Sequence, residues 1–390
     1  MGLRAGAFCN YVGSLSHYSR DYVMVVGRES KLVCLTEMEQ RFDRRTGKTN
    51  FVESLLYTAN WSSLNFFLYL CKSELLQMNI RKLIDISELP YETVVTVGMF
   101  DGVHIGHRHI LGMLERQTAE RGLHPVVVTF DCHPRQVLKA DRAASFRVNT
   151  NEERYRLLEE CGVQEVVEVH FTAETAQLSA CEFFEQVLCQ KLRCKALVLG
   201  YDNMFGNRQR NDFDRLPTLA QSRGVALVVD TPVRFGGVEV SSTKVRGALQ
   251  EGDVRRAADM LGYNYCLWGT VVKGRQVGRT LGFPTANVCL DDRTKVVPAA
   301  GVYAVRVRMP DDKTLKLGLA NFGAQPTFGL ENTVFEVNIF DFDGDLYGTV
   351  LMVEFVDRIR DVCKFEGVER LVRQLNDDRT TARLMLQTQK

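Results

Sequence analysis

Two histidines three residues apart, His104 and His107, close the run Gly98-Met-Phe-Asp-Gly-Val-His-Ile-Gly-His107. The run leaves a short apolar strand at residues 93–97 and leads into a helical stretch over residues 110–121. Imidazoles at that spacing share one side of a helix start. First-turn N–H groups and the positive end of the helix dipole favour an anion there. Gly106, between the histidines, removes a side chain that would keep a phosphate off the backbone. The chemistry this suggests is polarisation of a nucleotide's phosphate. A metal site shared with His109 is the other functional reading, but no nearby cysteine or carboxylate cluster completes a coordination shell.

Three further segments place polar groups where strands end. Thr129-Phe-Asp-Cys-His-Pro134 leaves a second apolar run. Gly200-Tyr-Asp-Asn-Met-Phe-Gly206, followed by Arg208, leaves a later one. Ser241-Ser-Thr-Lys-Val-Arg246 opens a helix, and its hydroxyls and two cations suit the oxygens of a triphosphate. Alone, it would be an N-cap with a solvated basic face.

A second constellation lies further on. Gly274-Arg-Gln-Val-Gly-Arg-Thr-Leu-Gly-Phe-Pro-Thr-Ala-Asn287 reads as a flexible basic loop able to cover phosphates. Pro284 fixes the backbone ahead of Thr285, whose hydroxyl, with the Asn287 amide, is a hard oxygen donor for Mg²⁺. Read cold, the stretch is a surface turn. Glu336 alternates away from Phe335 and Val337 on a strand, and by itself is a solvated glutamate. Asp341-Phe-Asp-Gly-Asp345 imitates a calcium loop, but its glycine is misplaced and its twelfth position is Met352, so a hairpin turn is expected. Arg45-Thr-Gly-Lys-Thr49 fails as a P-loop, because the required earlier glycine falls at Phe42 and no strand precedes it.

These segments need scaffolds. From about residue 80 to 262, apolar runs at 93–97, 126–130, 163–169, 196–199 and 225–229 alternate with helices. Two of those helices open with capping boxes, Thr150–Glu153 and Ser179–Glu182. The expectation is an α/β fold with a doubly wound parallel sheet, whose ligands bind beyond the carboxyl ends of its strands. From residue 263 the chain turns to closely spaced strands and a last helix over 365–377, which predicts a small antiparallel β-barrel domain with a C-terminal helix. Residues 302–309 alternate, with Arg306 and Arg308 on the outward face. Residues 1–77 show no sustained period and read as an upstream extension with little part in activity. The domain expectation is therefore 1–77, 78–262 and 263–390.

The 390 residues carry a formal charge of +1, 49 basic against 48 acidic side chains, which gives no bulk reason to expect nucleic acid or an anionic membrane. No run approaches eighteen apolar residues, so no membrane span is expected. The eleven cysteines, without a CxxC pair, read as reduced thiols in a cytoplasm. The start at Met1 lacks the pattern of a signal peptide.

Taken in order, GMFDGVHIGH, TFDCHP, GYDNMFG and VSSTKVR resemble the HxGH nucleotidylyltransferases, and among them the adenylyltransferase half of bacterial bifunctional riboflavin kinase/FMN adenylyltransferases, the FAD synthetase family. PTAN at 284–287, NFGAQPTF at 321–328 and DFDGDLYG at 341–348 resemble the kinase half. The resemblance implies that riboflavin is phosphorylated with MgATP and that the FMN formed is adenylylated to FAD. It implies that His104 and His107 contact ATP phosphates, with Gly98, Phe100, Asp101 and Gly106 around the nucleotide and Ser242, Thr243 and Arg246 as a second phosphate segment. Asp202 would hold the flavin or adenine. In the kinase half, Gly274, Gly278, Arg279, Gly282 and Pro284 would surround ATP, Thr285 and Asn287 would ligate Mg²⁺, and Glu336 would be the general base. Glu239 stands where some relatives have arginine, a basic contact that Arg234 could supply. Asn203 replaces an aromatic residue, and Arg360-Asp-Val362 departs from a more acidic pattern. Retention of one activity only, or a non-catalytic flavin or nucleotide sensor, are the alternatives. The expected partners are small-molecule substrates, not nucleic acid or membrane.

Overall fold

The structure, a computed structural model, describes residues 23–26, 32–35, 78–132, 146–201, 205–210, 212–274, 277–310, 314–324 and 333–388. The chain divides into two compact units, Met1–Gln77 and Met78–Lys390. In the first, Val23–Val26 (β1) and Leu32–Leu35 (β2) form an antiparallel hairpin that the sequence reading did not anticipate.

In the second unit, six strands make one parallel sheet: Asn79–Lys82 (β3), Thr93–Val97 (β4), His124–Phe130 (β5), Glu165–Val169 (β6), Cys194–Leu199 (β7) and Ala226–Val229 (β8), in the order β3-β6-β5-β4-β7-β8. All five residues of β4 are buried, as a parallel strand covered on both faces requires. The twofold alternation sorts its side chains. Val94, with Val127 and Val198, packs under Leu111 and Leu114 of helix Ile105–Arg121 (α1) and Leu157 and Leu158 of helix Asn151–Glu160 (α2). Val95 and Val97 face Phe183, Phe184, Leu188 and Leu216 on the other side. Both expected capping boxes are present, at Thr150 and at Ser179. The second opens Ala180–Phe183 (α3), which continues as a π-helix to Lys191. Because β5, β4 and β7 are neighbours, the loops leaving Val97, Phe130 and Leu199 share one end of the sheet.

Beyond helices Leu216–Ser222 (α4), Ser242–Glu251 (α5) and Val254–Leu261 (α6), the chain closes a six-stranded barrel. Its strands are Cys266–Val272 (β11), Ala286–Leu290 (β12), Gly301–Arg308 (β13), Lys316–Ala324 (β14), Thr333–Ile339 (β15) and Val350–Arg360 (β16), following the short hairpin Arg234–Phe235 (β9) and Val238–Glu239 (β10). The barrel order is β11-β12-β15-β14-β13-β16. Strand β12 begins within the last residues of the stretch that reads as a loop; its short, half-polar ANVCL has only one buried position, Val288. The final helix, preceded by the single turn Val277–Thr280 (α7), is α8, Val368–Thr388, longer than expected. Its buried face is Asp378, Ala382 and Leu386, whereas Val368 is 60% exposed. That face covers Val302 and Ala304, so the outward side of β13 is buried at its start and opens only at the arginines.

The parallel sheet and the barrel are joined by Arg147 and Lys295, which form a parallel bridge. Lys295 Nζ donates to both Glu153 carboxylate oxygens at 2.6 Å and to the Cys266 carbonyl at 2.8 Å. Both side chains are almost wholly buried, at 3% and 7% exposure. Removing one partner of such a pair strands the other charge. Lys295→Met should therefore lower the unfolding free energy by about 3–5 kcal/mol, read from urea denaturation, with Lys295→Met/Glu153→Gln recovering most of it. A single-variant loss near zero would show that the carboxylate is not stranded.

Two candidate active sites

Helix α1 starts five residues earlier than the sequence suggested, because His104 is itself its N-cap. The Nδ1 of His104 accepts the N–H of His107 at 3.2 Å, and the two rings stack with centroids 3.7 Å apart. With Nδ1 accepting, the neutral ring carries its proton on Nε2. Burial lowers the His104 pKa to about 4, so neutrality is the resting state. His107 is lowered too, by burial first and then by its neighbours His104 and Arg154. Its Nδ1 has no partner among the described residues, and the Phe100 ring lies 5.1 Å from it. The absent side chain of Gly106 also makes room for the His104 imidazole, from which a Cβ there would sit 3.2 Å. A Cβ on Gly98 would sit 3.1 Å from the Phe100 ring.

The approach to these histidines is strained. Phe100 and Val103 have φ of +49° and +34°, costs of order 1–3 kcal/mol each that surrounding contacts must offset. Asp101 supplies several. Its buried carboxylate accepts the N–H groups of Val148 (2.8 Å) and Asn149 (3.3 Å) and pairs with Arg246 at 2.8 Å. Arg246 also donates to the Thr243 hydroxyl, and the Ser242 hydroxyl donates to the Asp101 carbonyl at 2.8 Å. Ser241 caps α5. The two phosphate-type segments, distant in sequence, are thus docked through one residue, Asp101, by its carboxylate and its main-chain carbonyl.

Other expected members are placed less centrally. Asp131 takes the Phe171 N–H and pairs with His170. Glu239 is bonded to Tyr201 and to Arg234 (3.3 Å), so the Arg234 charge is already paired. His109 points to Asp230 at 3.2 Å, away from any shared site with His104, and no cluster of three metal-ligating His, Cys, Asp or Glu side chains occurs among the described residues. Asp202, Asn203 and His133 lie outside the described residues.

In the barrel, Asn287 on β12 is the direct cross-strand partner of Glu336 on β15, and Asn321 on β14 is its partner on the other side. Asn321 hydrogen bonds to Glu336, whose pKa is raised by burial against that bond. The glycine-rich stretch is not free loop: one turn of helix, α7, holds Gly278 and Arg279, and Phe283 N–H closes back on the Gly278 carbonyl at 2.9 Å. Gly282, at φ +79°, makes the turn that brings Pro284 and Thr285 to β12. A Cβ on Gly278 would fall 2.3 Å from the Phe283 carbonyl, and one on Gly274 would overlap the Asn287 amide at 2.0 Å. Beside Pro284 is an open pocket of about 270 Å³ lined by Asn338, Phe340, Phe342, Arg379 and Arg383, with the carboxylates of Asp341 and Asp343 also on its wall. The buried Asn338 donates to the Pro284 carbonyl, and its Oδ1 has no partner among the described residues. Arg379 lies 4.4 Å over the Phe283 ring. Arg360 is engaged by buried Asp378 of α8 at 2.7 Å.

Sequence reasoning did not single out Arg154, Tyr263 or Asn338 as site residues, and marked Asn321 only as the start of the 321–328 motif. Arg154, buried, donates to the carbonyls of Met99 (3.1 Å) and Phe130 (2.8 Å), tying two strand ends together. No local spacing marks these residues, since each acts through partners far along the chain.

Residues 86–244 match the FAD synthetase family model and residues 261–386 the riboflavin kinase model. The bifunctional riboflavin kinase/FMN adenylyltransferase of Escherichia coli K12 is 38% identical over 78% of this chain and 96% of its own length. That of Bacillus subtilis is 33% identical over 76% and 93%. A Streptococcus pneumoniae crystal structure, titled a macrolide-efflux protein, is 34% identical with a TM-score of 0.68, covering 78% of this chain and 98% of that one. No helix among the described residues is long and apolar enough to cross a membrane. With both site geometries in place and both family models matched, the chain belongs to the bifunctional riboflavin kinase/FMN adenylyltransferase family.

Proposed function

We propose that residues 78–262 carry the adenylyl transfer and residues 263–390 the kinase step of a two-step synthesis, with residues 1–77 an extension outside both. The enzyme phosphorylates riboflavin to FMN with ATP and then joins AMP from a second ATP to FMN, releasing pyrophosphate. The observation that carries the division of labour is the docking of the 241–246 segment against the HxGH loop through Asp101, separate from a glutamate set in the barrel wall.

In the first site, an FMN phosphate oxygen attacks the α-phosphorus, the bond to the bridging oxygen breaks, and pyrophosphate leaves. The chain's part is positioning and charge stabilisation. His104 donates from Nε2 as a neutral imidazole, the N–H groups of Ile105 and Gly106 at the helix mouth receive phosphate oxygens, and Arg246 and Ser242–Thr243 hold the remainder. Asp101 works by fixing Arg246. Asp202 is assigned to the flavin or adenine.

In the second site, Glu336 takes the proton of the ribityl 5′-hydroxyl as its oxygen attacks the γ-phosphorus and ADP leaves. Thr285 and Asn287, the second paired across the strands with Glu336, suit Mg²⁺: a hydroxyl and an amide oxygen are hard donors, few enough to leave room for phosphates and water. When bound, the ion neutralises charge on the transferring phosphates. Gly274, Gly278, Arg279 and Gly282 frame the phosphates. The cavity beside Pro284 suits the adenine ring, with Asn338 Oδ1 as acceptor for its amine. Eight cysteines between Cys132 and Cys363 are free thiols, in keeping with work in a reducing cytoplasm.

Incubation with riboflavin, ATP and Mg²⁺, with separation of the flavins, should yield FMN first and FAD after it. FMN alone would leave a kinase only, FAD from supplied FMN alone an adenylyltransferase, and neither product a sensor.

A further inference from the structure

Each carbonyl of the strained stretch Met99–Val103 is held by a donor. Arg154 takes that of Met99, the Val103 N–H that of Phe100 at 3.1 Å, Ser242 that of Asp101, and Arg108 Nε that of Val103 at 3.3 Å. The carbonyl of Gly102 is taken by the phenol of Tyr263 at 2.8 Å. Four of these donors lie on residues 78–262, but Tyr263 does not. It follows the C-cap of α6, inside the 261–386 segment matched by the riboflavin kinase model and outside the 86–244 segment matched by the FAD synthetase model. Its ring is packed against the cores of both halves, its hydroxyl lies 3.3 Å from Asn149 Oδ1, and the Arg108 guanidinium sits 5.8 Å over it.

A loop that receives a triphosphate must present N–H groups and keep carbonyl oxygens turned elsewhere, since each is a negative dipole end. Gly102, at φ +88°, has backbone freedom that its neighbours lack. Without the phenol its carbonyl has no other donor among the described residues. We propose that Tyr263 is a positioning residue for adenylyl transfer, contributed by the kinase half, which fixes the Gly102 carbonyl and so the shape of the phosphate loop two residues before His104. This rests on the reading of the HxGH loop as the triphosphate site.

Tyr263→Phe removes one hydroxyl and retains the ring, so the junction packing stays. In the full-length chain, KM for ATP in FAD formation from supplied FMN should rise about fivefold to tenfold, the loss of one well-placed hydrogen bond. The kcat of that step should fall less than twofold, the kinase step should stay at wild-type values, and the thermal midpoint should fall by only a few degrees, the cost of one buried carbonyl left unpaired. Unchanged adenylyltransferase constants would overturn the inference, because the phenol would then be packing alone. A parallel fall in both activities would overturn it too, as the sign of a general structural role. A wild-type chain that makes no FAD from FMN and ATP would instead remove the underlying reading, and is seen before any variant is made.

Discussion

His104→Asn lowers FAD formation from FMN by about 10²–10³ in kcat, the scale of one lost donor to developing charge, and leaves FMN formation from riboflavin untouched. Asparagine is the informative replacement. It keeps an N-cap acceptor for the His107 N–H, whereas alanine would also forfeit about 1 kcal/mol of capping. The rate loss then reports the missing Nε2–H, and near-wild-type turnover would refute the role. A pH argument goes with it. The folded-state pKa of about 4 lies below the ordinary 6.5, so a proton binds the unfolded chain more tightly. His104 therefore costs stability progressively as pH falls from about 6.5 toward 4, and His104→Asn should flatten that slope. Across neutral pH the ring is uncharged, so adenylyl transfer should show no rate limb that this variant abolishes between pH 6 and 7. Such a limb would mean that the ring acts as a cation.

Glu336→Gln is expected to reduce riboflavin phosphorylation by about 10²–10⁴, the usual contribution of a placed general base, while FAD formation from supplied FMN continues. The amide retains the side chain's shape and can still hydrogen bond with Asn321 on the neighbouring strand, so the loss is one of proton acceptance. Burial raises the Glu336 pKa. The base is active when ionised, so kcat/KM for the kinase step should climb with pH through a limb lying above the ordinary carboxylate range. The glutamine variant should lack it. A limb that persists in the variant would assign the titration, and the base, to another group.

Sequence alone determined much here, for a definite reason. The parallel strands are continuous Val-rich runs, the capping boxes are local hydrogen-bond patterns, and the HxGH and PTAN runs compress their chemistry into a few adjacent residues. Such features depend on neighbours within one or two turns, which spacing records. Other features were decided in three dimensions. That Asn287 faces Glu336 depends on barrel register, across strands fifty residues apart. That Arg246 meets Asp101 depends on the first turns of α5 docking against the loop ahead of α1. The neutrality of His104 depends on burial, and the hold on Gly102 depends on a tyrosine from beyond the first domain. Burial and long-range pairing are properties of the packed chain: closing a loop of a hundred residues leaves no trace in local spacing, only in which groups the fold finally brings into contact.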